Sequence, residues 1–258
     1  MYHFFVDKQN IDTVNNRVII EGGDVNHIRN VLRMRPGEEI SVGVTGEDNE
    51  YRCAIAEISE DSIVCDLLFI KEAGVESPAE IVLYQGLPKA DKMEMIIQKC
   101  VELGAFRIVP VACSRSVVKL DAKKESSKIA RWQAISEAAA KQSKRNVIPE
   151  ISSVMSMKEA IAEAKNSDIA IIPYELAEGM KEASEVFARI SKLKEENLGN
   201  TKPKIALFIG PEGGFTPEEV ELAKTAGVRP ISLGKRILRT ETAGLAVISW
   251  IDFCLEVQ

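Results

Sequence analysis

The sequence predicts an α/β protein in two parts, a small N-terminal β-barrel over residues 1–72 and a mostly parallel α/β domain over residues 73–258. Three observations point there. The first part consists of short runs rich in β-branched residues, several alternating with period two, separated by turn signals. Past a linker at 71–78, strand-length apolar runs alternate with helical stretches, the pattern of a parallel sheet covered on both faces. Two unusual loops near the C-terminus stand where such sheets bind ligands, beyond the carboxyl ends of strands.

In the first part, strands are expected at 18–20, 39–44, 51–58 and 62–68, with turns at Pro36-Gly37 and at 46–49. One short helix interrupts them. Asp24 is its expected cap, and it runs through His27 to Leu32 with Ile28, Val31 and Leu32 as core face. Arg29 and Arg33, four apart, would share another face. His27 reads as a structural histidine. That many short strands close most naturally into a barrel.

In the second part, a strand at 81–85 leads to a helix capped by Asp91, with Glu94 as capping-box partner and Gly104 past its end. A strand at 107–111 and a long helix over 127–143 follow. Further strands are expected at 168–173, 205–209 and 230–233, each followed by helical sequence.

Bulk properties narrow the class. The chain of 258 residues, 45% hydrophobic, has ample material for a core. No run of about 18 apolar residues exists, and the N-terminus lacks a basic start with a long apolar stretch. A cytoplasmic protein without membrane segments is expected. Five widely spaced cysteines without a CxxC pair, and only two histidines, argue against a metal site or disulfides and for buried, reduced thiols. The net charge of −6 argues against nucleic acid. Residues 114–146, however, carry nine basic against three acidic residues, locally about +6. That segment would either follow a phosphate backbone or form a solvated helix face.

The first loop is Gly210-Pro211-Glu212-Gly213-Gly214-Phe215, before a helix start with Thr216 as cap, Pro217 first and Glu219 closing a capping box. Its glycines admit close backbone approach to a ligand, or simply make a tight turn. The second is Leu233-Gly234-Lys235-Arg236-Ile237-Leu238-Arg239-Thr240-Glu241-Thr242-Ala243, where Thr240 is the expected cap of an apolar helix. Ile237-Leu238 within a charged loop suits a slot for a flat ring, or a packing plug. No Lys-Ser/Thr follows the glycines, so there is no P-loop. A nicotinamide fingerprint is also missing, which disfavours an oxidoreductase.

These two loops together resemble the C-terminal signature of SPOUT-class methyltransferases, and more narrowly the 16S ribosomal RNA (uracil-N3)-methyltransferase family. Leu87-Pro88-Lys89-Ala90-Asp91-Lys92-Met93-Glu94, Arg115-Ser116-Val117-Val118-Lys119, Gln142-Ser143-Lys144-Arg145 and His27-Ile28-Arg29-Asn30-Val31-Leu32-Arg33-Met34 agree with it, in order. The resemblance implies a PUA-like barrel for RNA docking and a catalytic domain threaded into a trefoil knot. It implies a homodimer acting on one uridine of 16S ribosomal RNA in the assembled small subunit. It also implies S-adenosyl-L-methionine held by Gly210, Glu212, Gly213, Leu233, Gly234, Ile237, Leu238 and Thr240. Uracil N3 carries a proton that must leave during attack. Glu241 as acceptor and Arg239 as electrostatic stabiliser are the candidates, against structural roles at the helix start or in an ion pair. Arg29, Arg33, Arg115 and Arg145 are the expected RNA contacts. A related enzyme with another target nucleotide, or an assembly factor without catalysis, are the competing readings.

Overall fold

The protein is represented by a computed structural model that describes residues 1–47, 49–72, 74–118, 120–177, 179–196 and 201–256, the side chains of 194–196 excepted. Asp48 of the expected first-part turn, Ala73 of the linker and Lys119 of the basic segment lie outside the described residues. The chain divides into two units, Met1–Glu76 with Ala140–Ile148, and Ser77–Ala139 with Pro149–Gln258.

The first unit is a curled six-stranded sheet of β1 (His3–Val6), β2 (Ile11–Asp12), β3 (Arg17–Glu21), β4 (Glu39–Val44), β5 (Asn49–Ile58) and β6 (Ser62–Glu72), in the order β1-β4-β5-β6-β3-β2. Only β1 and β4 pair in parallel. Alternation works as expected: Val18 and Ile20 of β3 are buried while Arg17, Ile19 and Glu21 face out. A slip by one residue would reverse that whole set. Two register shifts between β5 and β6, at Arg52/Cys53 and Ile55/Glu57, leave one extra residue on each strand, Leu68 of β6 and Ala56 of β5, and bend the sheet.

The short helix departs from expectation. α1 (Gly23–Asn26) continues into a wider turn over His27–Val31, where Leu32 N–H reaches His27 C=O five residues back. Gly22 stands at the cap position with φ 73°, and Asp24 makes no cap. Its carboxylate instead accepts Lys141 Nζ at 2.9 Å. The wider turn shifts the face presented inward. Ile28 is buried and Leu32 half-buried, but Val31 is 61% exposed and His27 lies at the surface. Arg33, at φ 53°, has left the helix and shares no helical face with Arg29.

Ala140–Ile148 joins this unit through a buried ion pair, so the first unit is not the contiguous stretch the sequence suggests. Glu76 accepts Arg145 Nη2 at 2.7 Å, Arg145 Nε at 3.1 Å, Asn146 N–H at 2.9 Å and Val147 N–H at 3.1 Å. Arg145, expected on RNA, is 2% exposed and serves as an internal staple. Nearby, His3 Nδ1 bonds Ser41 Oγ at 2.9 Å, and burial lowers its pKa to about 4.

The second unit contains β7 (Glu80–Gly86), α2 (Lys92–Glu102), β8 (Arg107–Ala112), α3 (Ala122–Ser143, up to Ala139), β9 (Glu150–Ile151), β10 (Met155–Ser156), α4 (Met157–Ala164), β11 (Ile169–Pro173), α5 (Lys181–Glu196), β12 (Lys204–Ile209), α6 (Pro217–Thr225), β13 (Arg229–Ile231) and α7 (Thr240–Glu256). The sheet order is β10-β8-β7-β12-β11-β13 with β9 beside β8, and every described pairing is parallel. On one face Tyr84 and Phe208, stacked at 4.6 Å, pack with Met157 and Ile161 of α4 and Val220 of α6. On the other, Leu83 and Ile209 meet Cys100 of α2 beside Gly244 of α7. Both faces are therefore covered, which is why the central strands are almost wholly apolar.

Helix ends divide expectation from outcome. The Thr216 capping box forms, with Glu219 N–H on Thr216 Oγ1 and Thr216 N–H on Glu219 Oε2. Asp91 makes no side-chain cap, and Glu94 pairs with Arg131 at 2.8 Å instead of closing a box. Thr240 is the first residue of α7 rather than its cap. The Arg239 carbonyl receives the Thr242 and Ala243 N–H groups. α3 begins five residues before the expected start, where Asp121 accepts Lys124 N–H at 2.9 Å. Cys53, Cys65, Cys100 and Cys113 are buried, and burial pushes each thiol up to about 12. Cys254 is only half-buried, against the expectation of five buried thiols. Among the described residues no His/Cys/Asp/Glu group could hold a metal ion, and no helix is long and apolar enough to cross a membrane.

Candidate functional site

At the carboxyl edge of the second unit's sheet, β12 ends in the glycine turn and β13 ends in the 233–239 loop. Between them lies a cavity of about 330 Å³. Gly210, Glu212, Leu233, Gly234, Ile237, Leu238, Arg239 and Thr240 line it. Gly213 and Glu241 do not. The end of β11 contributes Pro173, Tyr174 and Glu175, and α2 contributes Lys92. Those four were missed, although the position of β11 beside β12 and β13 is the signal that would have found the first three.

Close approach holds the glycine turn in place. A Cβ on Gly86 would stand 2.5 Å from Pro211 Cδ and 2.7 Å from its nitrogen, so the end of β7 and the turn touch through backbone. Gly214 adopts φ 66°, a conformation that favours glycine. Arg115, expected on RNA, donates Nη1–H to the Gly213 carbonyl at 2.9 Å, and Glu219 accepts Ser114 N–H at 2.7 Å. Gly213 thus bonds Arg115 outside the cavity.

The acidic wall is organised by Lys92. Its ammonium lies 3.1 Å from Glu212 and 3.4 Å from Glu241. Glu212 also accepts the Lys89 N–H at 3.1 Å. Against the opposing effect of burial, its own and the Lys89 backbone N–H and the Lys92 charge hold the Glu212 carboxyl below the usual carboxylate range. Glu241 stands beside Lys92 without lining the cavity, and its Oε2 is buried with no hydrogen-bond partner among the described residues. Arg239 is exposed, and no described residue pairs with its guanidinium.

The loop between β13 and α7 is irregular. Over 233–238 the described backbone hydrogen bonds amount to Gly234 N–H on Ser232 Oγ at 3.2 Å, so its other N–H and C=O groups are available to solvent or a ligand. Ile237 is 84% exposed, while Leu233 and Leu238 are half-buried. Gln85, wholly buried, donates Nε2–H to Thr240 Oγ1 at 2.9 Å, and Thr240 donates to the Gly210 carbonyl at 2.6 Å. Of the other expected RNA contacts, Arg29 is exposed 3.7 Å from Glu60, and Arg33 is exposed at the end of the wide helical turn.

Comparison with known proteins bears on this site. Residues 75–252 match the model of the RNA methyltransferase domain, and residues 20–68 match the RNA methyltransferase PUA domain. A Bacillus subtilis protein named ribosomal RNA small subunit methyltransferase E is 36% identical over 260 residues, covering 100% of this chain and 98% of its own. The crystal structure of a protein of the same name from Neisseria gonorrhoeae, bound to S-adenosyl methionine, superposes with a TM-score of 0.81 at 29% identity, covering 99% and 98% of the two chains. A Legionella pneumophila methyltransferase in complex with the same cofactor gives 0.79 at 29% identity, covering 97% and 96%.

Proposed function

Since this chain belongs to the RNA methyltransferase family, with its PUA domain and its RNA methyltransferase domain, we propose that it methylates 16S ribosomal RNA from S-adenosyl-L-methionine, at N3 of one uridine of the small subunit. One observation carries the reading. The two loops expected to hold the donor border a single cavity of about 330 Å³, in the size range of small-molecule sites.

The residues present fit the donor. Leu233, Ile237 and Leu238 offer an apolar slot for its ring, beside a loop whose free backbone groups can pair with the ring's polar edge. Glu212, kept ionised, offers a carboxylate that pairs with the donor's ammonium or accepts hydrogen bonds from its ribose hydroxyls. The bound donor supplies an electrophilic methyl group. Everything else falls to the chain. Arg239 on the cavity wall stabilises the negative charge that grows on the uracil oxygens as the N3 proton leaves to solvent. Glu241 lies 3.4 Å from Lys92 and is not among the cavity-lining residues, which supports Arg239 over Glu241 as the group acting on the uracil.

The finer parts of the proposal have separate supports. Lys235 and Arg236 at the cavity, with Arg29, Arg33 and Arg115 elsewhere, provide phosphate contacts for RNA in the assembled subunit. Membership of the RNA methyltransferase family supports the knotted SPOUT arrangement that the resemblance implies. Trp250 and Phe253, three apart on α7 and exposed, favour a homodimer that covers them. A cytoplasmic location follows from the substrate. The test is methyl transfer from labelled donor to undermethylated small subunits, with the product nucleotide mapped by mass spectrometry. Label on N3 of one uridine is expected, and label on a ribose hydroxyl or on transfer RNA alone would overturn the specificity.

A further inference from the structure

We infer that Gln85, acting through Thr240, is the positioning residue that sets the spacing of the two cavity loops and hence the donor site; this rests on the donor-binding reading above. Pairing of β7 with β12 puts Gln85 beside Ile209, one residue before the glycine turn. From there its side chain reaches the first residue of α7, 155 positions along the chain.

The protons have one arrangement. A carbonyl cannot donate, so the single Thr240 hydroxyl hydrogen goes to Gly210 at 2.6 Å, and the hydroxyl oxygen accepts from Gln85 Nε2 at 2.9 Å. The other amide hydrogen of Gln85 goes to the Gly86 carbonyl at 3.0 Å. Turning the amide over would set Gln85 Oε1 against the Gly86 carbonyl and take the hydroxyl hydrogen from Gly210. Gln85 Oε1 is buried without a partner among the described residues, a cost that persists because the amide nitrogen is needed where it is.

The Gly210 end is equally constrained. A Cβ there would stand 3.1 Å from the Gly214 backbone and 3.3 Å from the Phe215 ring. The carbonyl of the glycine turn is thus fixed by a buried hydroxyl on the first residue of α7, directly after the other loop. Bonds of this kind gain strength from low local dielectric and from one another. Thr240 lines the cavity, yet its hydroxyl is already committed to protein partners at both its donor and one acceptor position.

Titration calorimetry with S-adenosylmethionine and steady-state methyl transfer to undermethylated small subunits test the inference on wild type, Gln85→Met, Thr240→Val, Thr240→Ser and the Gln85→Met/Thr240→Val double variant. Gln85→Met and Thr240→Val should each weaken donor binding about tenfold. They should raise the KM for donor and leave the KM for subunits unchanged. Thr240→Ser, which keeps the hydroxyl, should recover donor affinity relative to Thr240→Val. The double variant should lose no more than the worse single one, the mark of coupled residues. Donor affinity within about twofold of wild type in both single variants, or additive losses in the double, overturns the inference. Should Gln85→Met melt below the assay temperature, Gln85→Asn carries the same expectation. A wild-type chain that binds no donor overturns the donor reading itself, a different outcome.

Discussion

The two units each contain a buried polar cluster joining segments far apart in sequence, and the clusters are built differently. In the first unit the link is ionic: Glu76 and Arg145 are both nearly inaccessible, and the carboxylate accepts from the guanidinium and two backbone N–H groups. In the second the link is neutral, Gln85 to Thr240 to Gly210, with one oxygen left over. A buried ion pair tolerates loss of neither partner, because the survivor stays charged in low dielectric. A neutral relay costs less to break and places atoms without adding charge beside a cavity that has to discriminate charges. Ionic links are suited to holding chain together, neutral ones to setting distances.

Breaking the ionic link should have the largest effect. Glu76→Ala is expected to destabilise the first unit by about 3–5 kcal/mol, read by chemical denaturation, while donor binding in the second unit persists. Equal loss of both would show that the two clusters do not act separately. Next comes Arg239→Ala on the neutral side. Methyl transfer should fall about 10²–10³-fold with donor affinity little changed, the signature of a group acting on the transition state. Full activity would remove Arg239 from the mechanism.

The third prediction concerns pH and sharpens the contrast. His3 lies against the same glycine as Asn146: a Cβ on Gly43 would be 2.5 Å from Asn146 Oδ1 and 3.0 Å from His3 Nε2. Its folded pKa, about 4, lies below the ordinary 6.5. Between those values the unfolded chain binds more protons, so stability falls as pH drops through the window, by up to roughly 3 kcal/mol below pH 4. Above pH 6.5 His3 contributes no slope. His3→Gln should flatten the acid limb of the first unit's stability profile; an unchanged limb assigns it to other groups. The smallest effect is expected from Thr216→Ala, which removes the α6 cap at a cost of about 1 kcal/mol and should lower the melting temperature without altering the donor KM.

How much of this was legible in the sequence follows from what each feature depends on. Period-two alternation in β3 and the apolar runs of β7 and β12 are local, and they were readable. So were the glycine turn and the Ile237-Leu238 loop, because three glycines before a capping box and an apolar pair within a charged loop are local features of composition. The wide turn over His27–Val31 was not, since a single extra residue per turn leaves no mark in side-chain chemistry yet moves Val31 outward. Arg145 was misjudged because its counter-charge sits 69 positions away, and a run of basic residues looks the same whether solvated or paired inside. The Gln85 relay was invisible for the same reason: neither residue is unusual until the β7–β12 register and the start of α7 bring them together.

The distribution of cysteines offers a practical handle. Four thiols held protonated in the interior cannot meet an alkylating reagent until the chain around them opens, and both units hold two of them, Cys53 and Cys65 in one, Cys100 and Cys113 in the other. With Cys254 blocked or replaced by serine, mass-resolved labelling over time would read the opening rate of each half of the molecule from its own pair, in a single sample and without a spectroscopic tag.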